Sequence, residues 1–158
     1  MTEKATFAAG CFWGVEFKLG KVPGVTATAV GYMGGETDQP TYQDVCNDDT
    51  GHAEVAQVEF DPDQVSFEIL VRKFFEIHNP TQLNRQGPDV GSQYRTGVFY
   101  HSLEQKAVAE RVKAELNAST FNGRIVTGIV QATTFWLAEE YHQKYGHKHP
   151  GHHCTLEA

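Results

Sequence analysis

The apolar and polar positions alternate between a two-residue and a helical period along the chain. Lys4 to Ala9 is uncharged after Lys4 and predicts a short buried strand. Val15-Glu16-Phe17-Lys18-Leu19 continues it as a helix. Val25 to Gly31 alternates Thr and Ala, and Ala53 to Phe60 alternates through Val55, Gln57, Val58, Glu59 and Phe60; both predict strands. Ser66 stands at a helix cap, and Phe67, Leu70, Val71, Phe74 and Phe75 then mark one apolar helical face. His78-Asn79-Pro80 stops that helix. Tyr94 to Tyr100 predicts another strand. Ser102 and Gln105 form a capping box before a helix carrying Leu103, Ala107, Val108, Val112 and Leu116. Ile125 to Ala132 predicts a strand and Phe135 to Tyr145 a helix.

Helices alternating with strands exclude an all-β sandwich. The passage from Val25–Gly31 to Ala53–Phe60 needs no helix, so antiparallel pairs are expected. The fold class this implies is α+β: a two-layer α/β sandwich with a ferredoxin-like core, a mixed and mainly antiparallel sheet, and long functional loops. The loops run from Gly31 to about Gly51 and from Thr81 to Gln93, lengths that are usually functional or disordered inside a compact domain. With no repeat or linker, residues 1–158 read as one domain ending in a mobile tail, about 146–158.

Composition narrows the partners. The 158 residues are 40% hydrophobic and 21% charged, with a net charge of -7. An acidic surface argues against nucleic acid and anionic membrane. No run approaches a membrane span, and Met1-Thr2-Glu3-Lys4 is a poor start for a signal peptide. The expected location is cytoplasmic. Three widely spaced cysteines, Cys11, Cys46 and Cys154, do not make a disulfide framework.

The chemistry begins at Gly10-Cys11-Phe12-Trp13-Gly14. Cys11 falls where a strand turns into a helix, and the first helical turn offers unpaired N–H groups and partial positive charge. Both favour the thiolate, the nucleophilic form. The bland alternative is a buried free cysteine with two core aromatics. The first long loop holds Tyr32, Tyr42, Cys46, His52 and Glu54; the second holds Asn84, Arg85, Gln86, Asp89, Gln93 and Tyr94. Glu54, buried beside aromatics, would keep its proton near neutral pH and act as an acid; otherwise it is a solvated strand-edge residue. Tyr42 and Tyr94 either aim phenols into the same pocket or are ordinary half-buried tyrosines. The tail groups His147, His149, His152, His153 and Cys154 raise a rival reading, a thiol- and histidine-bearing metal-binding module, although their spacing matches no compact zinc motif.

Taken together, the motifs resemble the A-type peptide methionine sulfoxide reductases. The resemblance rests on Gly10-Cys11-Phe12-Trp13-Gly14, Gly31-Tyr32-Met33-Gly34-Gly35, Pro40-Thr41-Tyr42 and Gly51-His52-Ala53-Glu54. It continues through His78-Asn79-Pro80-Thr81, Asp89-Val90-Gly91-Ser92-Gln93-Tyr94-Arg95 and Ala138-Glu139-Glu140-Tyr141-His142-Gln143, covering nearly the whole chain. It implies reduction of methionine S-sulfoxide, free or in oxidised proteins, with no cofactor and no metal. Cys11 would attack sulfur, Glu54 would protonate the oxygen, and Tyr42 and Tyr94 would hydrogen-bond that oxygen. Phe12 and Trp13 would pack the S-methyl group, and Asp89 would help to hold the substrate. Cys154 would resolve the sulfenic acid of Cys11 into a disulfide that thioredoxin reduces. Pro88 departs from the family pattern, where Asn is expected before Asp89. His152-His153 departs as well, since small or aromatic residues usually precede the tail cysteine. Cys46 reads as structural.

Overall fold

The computed structural model describes residues 2–47 and 50–144. Strand β1 (Glu3–Ala9) leads into helix α1 (Phe12–Gly20) and strand β2 (Val25–Met33). A connection containing the single-turn helix α2 (Tyr42–Cys46) reaches β3 (Ala53–Phe60), followed by α3 (Phe67–Glu76). The two-residue strands β4 (Arg85–Gln86) and β5 (Asp89–Val90) form a small hairpin ahead of β6 (Thr96–Tyr100). Helix α4 (Leu103–Ser119), β7 (Gly128–Gln131) and β8 (Trp136–Leu137) complete the described chain.

The main sheet has the order β7-β6-β1-β3-β2-β8. All neighbours are antiparallel except β6 and β7. Its centre, β6-β1-β3-β2, is the strand order of the ferredoxin-like βαββαβ unit. The expected α+β sandwich is therefore observed. Period-two alternation divides the sheet into two faces. Ala5, Phe7 and Ala9 of β1 and Ala56, Val58 and Phe60 of β3 join Leu19, Leu70, Val71 and Phe74 from the helices in one core. Ala8, Met33, Ala53, Val55 and Phe99 form a smaller cluster on the opposite face, where loop residues Ala132 and Phe135 cover them.

Local signals set most boundaries. Ser66 Oγ accepts from the Ile69 N–H at 3.2 Å and starts α3, and Ser102 Oγ accepts from the Gln105 N–H at 3.1 Å and starts α4. The expected capping box at α4 is modified: Gln105 Oε1 takes the N–H of His101, one residue before the cap. Several boundaries differ from the sequence reading: β2 runs on to Met33, and the first long loop contains α2. Tyr94 lies in a 3-10 turn and β6 starts at Thr96. β7 starts at Gly128 rather than Ile125. The predicted helix over 135–145 is replaced by β8 and a 3-10 turn, Glu140–His142. Here tertiary pairing overrides local propensity, because the open edge of β2 takes Trp136 and Leu137 as a sixth strand. The tail from residue 145 lies outside the described residues.

The β2–β8 contact depends on a residue without a side chain. A Cβ on Gly31 would lie 2.3 Å from the Trp136 carbonyl oxygen and 2.7 Å from the Phe135 ring. Gly31→Ala should therefore push β8 off the sheet and cost about 1–3 kcal/mol, the usual range for overpacking. Urea unfolding will check it: the midpoint falls with little change in slope.

Candidate active site

The C-terminal end of β1, the C-terminal end of β2 and the N-terminal end of β3 meet at one end of the sheet. Cys11 is the N-cap residue of α1, in a non-helical conformation, so its sulfur stands at the positive end of that helix. Phe12 supplies the first helical N–H, an orphan donor in any helix. It donates to Glu54 Oε1 at 3.2 Å. That bond joins the strand carrying the acid to the helix carrying the sulfur. Cys11 is disulfide-bonded, whereas Cys46 is free.

Glu54 is 1% exposed, which discards the solvated strand-edge alternative. Burial lifts its pKa to about 8, against the opposing pull of the Phe12 N–H, and the negative charge of Asp89 adds to the lift. Oε2 has no hydrogen-bond partner among the described residues. With Oε1 committed as an acceptor, Oε2 is the oxygen left to carry the proton.

The two phenols named from the sequence lie near enough to this carboxyl for its charge to act on them. Burial raises the Tyr42 pKa first, and its hydrogen bond to Cys46 and the charges of Glu54, Cys46 and Tyr94 add to the rise. Burial likewise raises Tyr94, helped by Glu54, Cys46 and Asp89, while the Gln93 side chain, hydrogen-bonded to the phenol, pulls it back. Both phenols therefore stay protonated and remain donors. Asp89 is partly buried, and desolvation raises its pKa. Pro88 stands at the exposed tip of the β4–β5 hairpin, where Gln86 pairs with Asp89 and the N–H that a proline lacks is not required.

Phe12 is fully buried and Trp13 is half-buried. Their rings approach Tyr42 with centroids 6.3 Å and 6.4 Å away. His142, absent from the sequence-derived site, fills the space between them. Its ring lies 4.4 Å from Tyr42, 5.2 Å from Phe12 and 5.6 Å from Trp13, and its Nδ1 accepts from Trp13 Nε1 at 2.9 Å. Burial lowers its pKa, so it accepts as neutral imidazole. Glu139 was missed as well. It accepts from the Tyr32 hydroxyl and from the Tyr42 N–H, each at 3.1 Å. Burial opposes ionisation of this carboxyl, but hydrogen bonds from its own N–H, the Tyr42 N–H and the Tyr32 hydroxyl hold its pKa below the usual value. The signal for both residues was the motif 138–143, read as helix and so given no role at the site.

Side chains rather than backbone ladders shape the loops. His52 is buried; its Nδ1 accepts from the Gly35 N–H at 2.9 Å and its Nε2 lies 2.7 Å from the Thr37 carbonyl. Gln86 accepts from the Asn79 N–H at 2.8 Å and donates to the Asn79 carbonyl at 2.9 Å. Arg85 and Asn84 are exposed. Cys46 sits one turn beyond Tyr42. Burial pushes its pKa up against the Tyr42 hydrogen bond, and the charges of Glu54 and Glu139 push further, which makes it a poor thiolate. Cys154 and the histidines His147, His149, His152 and His153 lie outside the described residues. Among the described residues, no group of three potential ligands is placed to hold a metal. No described helix is long and apolar enough to cross a membrane.

Comparison with known proteins identifies the family and the fold. A family model described as peptide methionine sulfoxide reductase matches residues 3–158. The chain is 57% identical over 155 residues to the peptide methionine sulfoxide reductase MsrA of Methanothermobacter thermautotrophicus, covering 98% of this chain and 92% of the relative. Mxr1 from Saccharomyces cerevisiae, solved in its reduced form, superposes with a TM-score of 0.92 at 36% identity, over 99% of this chain and 93% of that one. The same yeast protein in complex with Trx2 gives a TM-score of 0.66 at 27% identity, over 91% and 84% of the two chains.

The buried acid carries a pH signature. An unfolded chain releases the Glu54 proton near 4.5, whereas the native state holds it to about 8. The native state therefore binds more protons between those values, and the stability this group contributes below pH 4.5 is lost as pH rises through about 8. Glu54→Gln removes that slope. The stability of the variant relative to wild type should climb from pH 5 to pH 8 and level off above, as denaturant midpoints across that range will show.

Proposed function

The chain belongs to the peptide methionine sulfoxide reductases, and on that premise we propose how its own residues carry the reaction. The enzyme reduces methionine S-sulfoxide, free or in oxidised proteins, to methionine. The Cys11 thiolate attacks the sulfoxide sulfur. Glu54 gives its proton to the sulfoxide oxygen, and Tyr42 and Tyr94 donate hydrogen bonds to it as negative charge builds. Phe12 and Trp13 pack the S-methyl group, and Asp89 helps to hold the substrate. The S–O bond breaks, methionine leaves two electrons richer, and Cys11 keeps the oxygen as sulfenic acid. Cys154 then attacks the Cys11 sulfur, water departs, and thioredoxin reduces the resulting disulfide.

The observation that carries this reading is the Glu54 carboxyl: buried, with one oxygen bound to the Phe12 N–H beside Cys11 and the other without a partner among the described residues. A general acid needs a proton at neutral pH and a free oxygen from which to give it. The yeast relative solved with Trx2 supports thioredoxin as the reductant. Residues 1–158 act in this scheme as one reductase domain whose tail, about 146–158, brings Cys154 to Cys11. A cytoplasmic setting suits a cycle that returns its cysteines to thiols after each turn.

The test is turnover with the separate sulfoxide epimers and dithiothreitol, in which only the S epimer should be reduced. Glu54→Gln keeps the shape but cannot deliver the proton, and should lower the rate roughly 10²–10⁴-fold. A wild-type rate would remove Glu54 from the acid role.

Cys154→Ser separates the two halves of the cycle. One equivalent of methionine should still form per enzyme in a single turnover, because Cys11 keeps its acid and its pocket. Sustained turnover with thioredoxin should fail. Continued thioredoxin-driven turnover would move the resolving role to another cysteine, with Cys46 the first to test by disulfide mapping.

A further inference from the structure

Tyr42 is the first residue of a helix only five residues long. One turn is too short to fix a side chain by its own hydrogen bonds. Thr41 and Asp44 satisfy each other's N–H groups in a capping box. The Tyr42 N–H is left for a partner from elsewhere, and Glu139 Oε2 takes it at 3.1 Å.

The other oxygen of Glu139 binds the Tyr32 hydroxyl at 3.1 Å. Tyr32 is fully buried in β2, directly across from Glu54 in the β2–β3 register. One carboxylate thus ties the turn that carries Tyr42 to the strand position opposite the acid. Glu139 is itself anchored from both sides. The Ala138 N–H donates to the Val30 carbonyl at 3.0 Å. Gln143 accepts from the Val30 N–H and donates to the Val30 carbonyl, both at 2.9 Å. The 3-10 turn between these anchors packs the His142 ring on the Tyr42 ring.

We propose that Glu139 is a positioning residue of the reductase: its two carboxylate oxygens hold the Tyr42 phenol at the spacing from Glu54 that lets both groups reach one sulfoxide oxygen. This rests on the reading of Tyr42 as a donor to that oxygen. Because Glu139 acts through Tyr42, its worth should vanish when the phenol is gone.

The experiment is a double-mutant cycle on the reduction of free methionine S-sulfoxide, with thermal unfolding as the control for folding. Glu139→Ala should lower kcat by about 10–100-fold with little change in KM, the scale of a misplaced donor. In a Tyr42→Phe background the same substitution should cost less than about threefold, because residues acting as a unit are not additive. Glu139→Gln keeps one acceptor oxygen and should recover part of the loss. A Glu139→Ala enzyme as fast as wild type, or losses that multiply in the double variant while Tyr42→Phe alone is slow, would overturn the inference. Tyr42→Phe at the wild-type rate would overturn the donor role and the inference with it. If Glu139→Ala does not fold, Glu139→Gln taken through the same cycle decides the matter by the same criterion of additivity.

Discussion

The site depends on the burial of one carboxyl. Glu54 sits in the third strand with almost no exposure, and the one hydrogen bond to its carboxyl among the described residues comes from the Phe12 N–H. A buried carboxylate with a single donor is poorly solvated, so the neutral acid is the favoured form. That cost sets where the rest must go. The bond to Phe12 brings the acid to the first turn of the helix whose N-cap is Cys11, so nucleophile and proton donor are fixed by the same contact. The two phenols remain donors for the same reason: burial raises the pKa of each first, and the negative charges of Glu54 and Cys46 raise it further.

The sheet supplies the rigid half of this arrangement and side-chain hydrogen bonds supply the other. The antiparallel pairs of β1, β3 and β2 fix Glu54 and Tyr32 to within the register of a strand. Tyr42, Asp89 and Tyr94 have no such support; they lie on a single turn, a two-residue strand and a 3-10 turn. Backbone polar groups in such segments still require partners. Glu139 takes the Tyr42 N–H, and His52 and Gln86 bond to main-chain groups of the neighbouring loop residues Gly35, Thr37 and Asn79. Long loops can then hold catalytic groups without regular secondary structure.

Hydrophobic periodicity disclosed the elements whose apolar faces are continuous. α3 was readable because Phe67, Leu70, Val71, Phe74 and Phe75 mark one stripe and Ser66 caps it. β3 was readable because its second half alternates, with Ala56, Val58 and Phe60 buried and Gln57 and Glu59 partly exposed. The 135–145 segment was misread because its sequence can serve either conformation, and the choice was made by the unpaired edge of β2 about a hundred residues earlier. An edge strand is stabilised by partners that no local window contains.

The same division holds for the site. Residue chemistry raised Cys11, Glu54, Tyr42 and Tyr94 as candidates beside blander alternatives, and the motifs shared with a known family gave them, with Phe12, Trp13 and Asp89, their expected roles. It also fixed the strand-to-helix turn that gives Cys11 its helix terminus. Burial was not in the sequence. Whether Glu54 was a solvated edge residue or a neutral acid was decided by the packing around β3, since solvation is a property of the surroundings and not of the residue. Nor were the contacts of Glu139 and His142 with Tyr42 legible, although all three residues were in plain view. Roughly a hundred positions separate them along the chain, and only the closing of β8 onto β2 brings their atoms within hydrogen-bonding and stacking distance.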